Sequence, residues 1–184
     1  VYADAGLRLL EELPDIANSS TGYFLRGRVE EQRSNDSSAL EAYMVAAKGW
    51  DQYAARARLA VADMSLRDGG LGALLAAQSI LQEGAEAWRG DYYELELLKR
   101  MVRIYEATHN DVEGLLTLGK MLTRFPADKG TQSTQDQAQS LLVEVYRKGR
   151  EGSYPLSSWM DVHLSMLPFF RNLPRFPSHT EKFG

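Results

Sequence analysis

Apolar residues recur along most of the chain at three- and four-residue intervals with polar residues between them, and no stretch alternates strictly over the length of a strand. Ala, Leu, Glu, Gln and Arg fill these segments, and runs of β-branched residues are scarce. The pattern predicts helices over about 2–13, 20–33, 37–48, 51–67, 71–86, 90–108, 111–124, 135–149 and 156–171, hence an all-α fold. Ser38 with Glu41 and Thr134 with Gln137 have capping-box spacing and mark helix starts. Pro14 and Pro126 are expected to end helices, because proline lacks a donor and crowds the preceding turn. Gly69-Gly70 and Ser34-Asn35-Asp36 supply tight turns, and connections this short make neighbouring helices antiparallel. Two segments break the rhythm, the polar run Ala127 to Asp136 and the stretch 172–184 with Pro174 and Pro177; both are expected to be irregular. The second either leads onward into further sequence or is a disordered end.

A ladder of small and large residues repeats within this helical frame. Tyr23, Gly27, Ala39, Tyr43 and Ala46 form one series; Val102, Tyr105, Gly114, Leu118, Met121 and Pro126 form another. Two helices that cross closely need a small residue at the contact, with large residues filling the flanking grooves. These spacings resemble those of the tetratricopeptide repeat family. The resemblance implies antiparallel helix hairpins stacked into a right-handed superhelix whose first helices line a concave surface.

A weaker third ladder runs through Ala60, Gly72, Ala76 and Ser79, with Asp63 where the family prefers Tyr. A fourth unit, with Leu142 and Tyr146 followed by Ser157 to Phe170, has a long linker and no clear small-residue contact, so it reads as an end cap. The expected organisation is 1–19 as the second helix of an upstream or partial repeat, 20–150 as the repeat array, 151–171 as a terminal or capping helix, and 172–184 as a Pro-containing tail. A helical bundle with generic core stripes is the alternative.

Charge and composition narrow the function. A net charge of -4 and a pI near 5.5 argue against a nucleic-acid binder. With no cysteine there is no disulfide and no thiolate chemistry. The most apolar run, Leu71 to Leu81, is too short to cross a bilayer. The chain opens Val1-Tyr2 without an initiator Met and so is expected to be a piece of a longer protein, from the cytoplasm or the periplasm. His109, His163 and His179 are too far apart for a helical metal pair, and His109 reads as a solvated loop residue. No serine lies in a nucleophile elbow, the glycine clusters have neither phosphate-binding nor dinucleotide spacing, and Glu11-Glu12 and Glu30-Glu31 read as solvated faces. These features predict a protein that is not an enzyme and has no cofactor or metal.

The resemblance places Phe24, Arg28, Arg58, Glu96, Lys99, Arg100 and Arg103 on first helices, where they would converge on one groove suited to an acidic or C-terminal peptide. The competing account is that Glu96 and Arg100 merely pair along their helix. Chaperone-binding members of the family hold a terminal carboxylate with lysines, asparagines and an arginine. Here Phe24, Arg28 and Arg58 replace most of that set and Arg100 alone matches, so the chaperone function does not carry over. The expected role is a non-catalytic scaffold that holds a partner peptide or helix. The alternatives are self-assembly through exposed apolar ends of the array, including the helix from Tyr2 to Leu13, or the helical part of a larger regulatory protein.

Overall fold

The computed structural model of the chain describes Ala5, Leu7, Arg8, Leu10 and residues 12–171. The expectation for 172–184 lies outside these residues. Among the described residues the regular elements are all helices: α1 (Pro14–Ala17), α2 (Ser20–Gln32), α3 (Asp36–Ala46), α4 (Gln52–Asp68), α5 (Leu71–Ala87), α6 (Tyr92–Ala107), α7 (Asp111–Arg124), α8 (Thr131–Arg150) and α9 (Leu156–Phe170). The all-α expectation holds. The chain divides into two compact units, residues 1–100 and 101–184, with the division falling inside α6.

In the first unit α2 and α3 lie side by side, joined by a turn in which Ser34 takes a positive φ of 59°. Their contact is set by size. A Cβ on Gly27 would stand 2.5 Å from the Tyr43 ring, so the hairpin closes with the phenol laid over bare backbone. Tyr43 and Ala39 are fully buried. Helix α4 packs against both α2 and α3 and then pairs with α5 across Gly69. Gly69 caps α4 in the left-handed region, φ 73°, where a side chain is disfavoured.

The register of the α4–α5 pair differs from the expected ladder. Gly72, Ala76 and Ser79 are exposed, and a Cβ on Gly72 would meet open space. The buried face of α5 is instead Leu74, Ala77, Leu81, Gly84 and Ala85, and on this face Gly84 meets the Arg58 side chain of α4. Small residues are abundant on both faces of α5, so spacing alone selects the wrong stripe. Leucines also occur on both faces, Leu74 and Leu81 buried and Leu71 and Leu75 exposed, so the packing against α4 rather than the local pattern selects the inward stripe.

In the second unit α7 contacts both α8 and α9. Gly114 approaches Tyr105, whose Cβ would lie 3.5 Å from an added Cβ, an ordinary contact. The fourth unit does have a small-residue contact: a Cβ on Gly149 of α8 would stand 2.8 Å from the Trp159 indole, and Tyr146 meets that indole edge-on at 4.9 Å. It was hidden in sequence because the partner ring lies across the turn, on the following helix.

Helix starts depart from expectation in three places. Asn35, not Ser38, precedes the third helix, and Ser38 lies inside it. Thr134 also lies within its helix, which begins at Thr131, so 131–136 is helical rather than irregular; the Thr134 hydroxyl donates back to the Gly130 carbonyl at 3.0 Å. Pro14 opens the short α1 at a position where a missing N–H costs nothing. Among the described residues, the side chains of Ser19, Asp51, Asp91 and Asn110 accept from backbone N–H groups of the first turn.

Candidate functional site

Two turn segments of the first unit have the same construction. In Trp50-Asp51-Gln52-Tyr53 the Asp51 carboxylate accepts from the N–H of Tyr53 at 2.8 Å and of Ala54 at 2.9 Å, opening α4. In Trp88-Arg89-Gly90-Asp91-Tyr92-Tyr93 the Asp91 carboxylate accepts from the N–H of Tyr93 at 3.0 Å, opening α6. A carboxylate at a helix start satisfies free donors and complements the dipole. Each start therefore presents a Tyr two residues after its Asp, with a Trp ahead of it.

Arg58 ties the two turns together. It is 1% exposed, its guanidinium carbon lies 5.2 Å from the Trp50 ring centroid and 5.1 Å from that of Trp88, and one terminal N–H donates to the Gly49 carbonyl at 3.0 Å. Its Nε has no hydrogen-bond partner. Burial pulls its pKa below the usual arginine value, yet two indole faces offer a cation an attractive surface. Gly84 leaves room for the side chain, since a Cβ there would meet the Arg58 Cδ at 2.8 Å.

The rings form a continuous ridge along these turns. Trp50 and Trp88 centroids are 6.4 Å apart, Trp88 and Tyr93 6.4 Å, and Tyr93 and Tyr92 5.8 Å. The Arg56 Nε donates to the Tyr93 hydroxyl at 3.1 Å and the same guanidinium lies over Tyr53, which meets Phe24 at 5.8 Å. Trp50 is 67% exposed and Tyr92 66% exposed.

The sequence-predicted groove residues sit as follows. Phe24 is half-buried against Tyr43 and Tyr53. Arg28 is exposed and pairs with Glu31 at 3.2 Å; the same carboxylate accepts from Tyr43 at 2.9 Å and from Arg67 at 3.3 Å. Arg58 is buried between the indoles, where an incoming peptide does not reach it. Lys99 pairs with Glu96 at 3.0 Å. Arg100 holds Glu96 at 2.5 Å and grips Asp63 through two N–H groups at 3.2 and 3.0 Å. Asp63, in place of the expected Tyr, is thus one end of a bidentate ion pair. Burial would raise the Glu96 carboxyl, but hydrogen bonds from Lys99 and Arg100 and their charges outweigh it and hold the group below the usual range. Arg103 is exposed and belongs to the second unit. Within the first unit, Glu96, Lys99 and Arg100 form one cluster with Asp63, and Arg28 sits in another with Glu31.

An open cleft of about 490 Å³ lies among the ends of α3, α4 and α5, lined by Asp36, Leu40, Met64, Arg67 and Asp68 among others. In the second unit the Tyr146 hydroxyl and His163 Nδ1 are 2.6 Å apart. His109 is exposed with φ 55°.

Sequence reasoning passed over Trp50, Arg56, Trp88, Tyr92 and Tyr93. The available signal was the doubled Trp, Asp, Tyr order at two helix starts, masked by the unequal spacing between Trp and Asp. Comparison with protein families, curated proteins and solved structures finds no match to this chain.

Proposed function

We propose that the chain is a non-catalytic helical scaffold that docks another protein, its hairpins stacked in the manner of the tetratricopeptide repeats it resembles. The observation that carries this reading is the aromatic ridge at the α3–α4 and α5–α6 turns, with Trp50 and Tyr92 two-thirds exposed beside the caged Arg58. Trp, Tyr and Arg are the side chains that dominate interface energies, Trp and Tyr because they bury large area with two side-chain torsions to freeze, and Arg because its planar fork both stacks on rings and donates several hydrogen bonds. The predicted basic groove supports a smaller part, since Arg28, Lys99 and Arg100 already hold carboxylates.

The test compares proteins retained from lysate on the immobilised native chain and on a Trp50→Ala/Tyr92→Ala variant. The native chain should retain a partner that the variant loses; identical retention by both sinks the docking role of the ridge.

A second reading, self-association, rests on a separate observation. Leu156, Met160 and Leu164 of α9 lie four residues apart on one face and are 74%, 58% and 59% exposed. Sedimentation of the native chain against Met160→Glu/Leu164→Glu decides it: the native chain should be larger than the variant, and a native monomer removes the reading.

A further inference from the structure

The cations around the aromatic ridge are unmatched. Arg56 is exposed, and its partners are the Tyr93 hydroxyl and the Tyr53 ring rather than a carboxylate. Lys48, two residues before Trp50, and Arg89, next after Trp88, are exposed, and neither forms an ion pair among the described residues. By contrast Arg28, Arg33, Arg67, Lys99 and Arg100 of the same unit each hold a carboxylate. The acidic groups of the ridge are engaged. Asp51 and Asp91 accept from backbone N–H groups at helix starts, and the buried Glu94 accepts from the Gly90 N–H at 2.5 Å. The exposed indole and phenol rings therefore lie among cations that hold no carboxylate, while the carboxylates beside them spend acceptor oxygens on backbone N–H groups.

Resting on the docking role proposed above, we infer that the ridge takes an acidic peptide segment that also carries a large apolar or aromatic side chain. The apolar side chain seats on the exposed faces of Trp50 and Tyr92, and the flanking carboxylates take Arg56, Lys48 and Arg89. Charge complementarity selects this occupant. The Arg56 guanidinium over the Tyr53 ring spends its Nε–H on the Tyr93 hydroxyl and keeps its terminal N–H groups for a carboxylate, and a charge-assisted contact of that kind is about twice as strong as a neutral one. A proline-rich segment uses the rings but leaves the three cations unanswered. Single-stranded nucleic acid uses both, but the acidic chain as a whole repels a polyanion with a charge on every nucleotide far more than a short peptide with a few carboxylates.

The experiment pans a displayed library of short random peptides on the native full chain. Recovered peptides are then titrated against the native chain, Trp50→Ala and Arg56→Gln, following tryptophan emission, with circular dichroism to check folding. The expected recovery is Asp and Glu flanking Phe, Trp or Leu. Affinity should fall with salt, drop about tenfold in Arg56→Gln, and lose about a third of its salt dependence there, since Lys48 and Arg89 remain. Recovery of proline-rich or basic peptides, no recovery at all, unchanged affinity in Arg56→Gln, or tighter binding of a thymidine-rich oligonucleotide each overturns the inference. Neutral peptides that lose binding in Trp50→Ala but not in Arg56→Gln sink the acidic partner and leave the docking role standing. If Trp50→Ala keeps both its peptides and its lysate partner, the docking role of the ridge falls too.

Discussion

Gly27 on α2 and Gly114 on α7 are the glycines of the two ladders, Gly114 standing where the first ladder has Ala39, and their surroundings demand opposite responses to a methyl group. At Gly27 the added carbon would overlap the Tyr43 ring, which cannot retreat because it is fully buried, tilted against Phe24 and anchored through its hydroxyl to Glu31. Gly27→Ala should therefore cost about 1–3 kcal/mol despite better helix propensity. The cost should shrink in a Tyr43→Leu background, where urea unfolding of the four forms gives the coupling. At Gly114 the nearest atoms stand at 3.4 and 3.5 Å, so Gly114→Ala should leave packing intact and raise stability by roughly 0.5–1 kcal/mol. A loss of stability there would show that α7 sits tighter than described. Arg58→Ala removes the side chain between Trp50 and Trp88 and leaves the Gly49 carbonyl without its donor. It should cost about 3 kcal/mol and shift the tryptophan emission, and unchanged emission would mean that the indoles do not sense the cation.

Among the described residues, side chains that satisfy free backbone donors open α2, α4, α6 and α7, whereas α1, α3, α5, α8 and α9 begin without one. Asp51 wins at α4 because it reaches two N–H groups at once. Ser38 and Thr134 have capping-box spacing but fall inside helices, since Asn35 and the Gly130 turn already fix the entry of the chain. Asp51→Ala should lower stability by about 1 kcal/mol in thermal or urea unfolding, whereas Ser38→Ala should change it by only a few tenths. Equal losses would restore Ser38 as a cap. Helices α2 to α7 were legible within a few residues because their apolar periodicity is long and Gly69, Ser34 and Pro126 punctuate it. The inward face of α5 was not. Its alanines, glycines and serine surround the helix, and the choice of stripe depends on which partner Leu74 and Leu81 find.

Charge acts over the whole first unit. The Glu96 carboxyl lies below its ordinary 4.5 in the folded chain, so its contribution is fully present above that value and is lost as pH falls through the folded pKa. Stability of the native chain should decline on acidification below about pH 4.5, and Glu96→Gln should flatten that decline. An unchanged slope in the variant would mean that other carboxylates set the acid response.

Periodicity, the scarcity of β-branched runs and the turn residues were enough to specify helices and their hairpin connections, because these depend on neighbours within a few positions of each other. Several of the named groove residues were legible as cations on successive helices, and so was the pairing of Arg100 with Glu96 along the helix, which the structure shows, but not the hold of Asp63 on Arg100 or of Glu31 on Arg28. Nor did spacing along the chain place Arg58 between two indoles or bring Trp50 within 6.4 Å of Trp88. The contacts of Arg100 with Asp63 and of Trp50 with Trp88 join positions about thirty to forty residues apart. Only the packing of α4 against its neighbours sets which side chains become buried, paired or left in water, because desolvation and ion pairing depend on distances in space rather than on order along the chain.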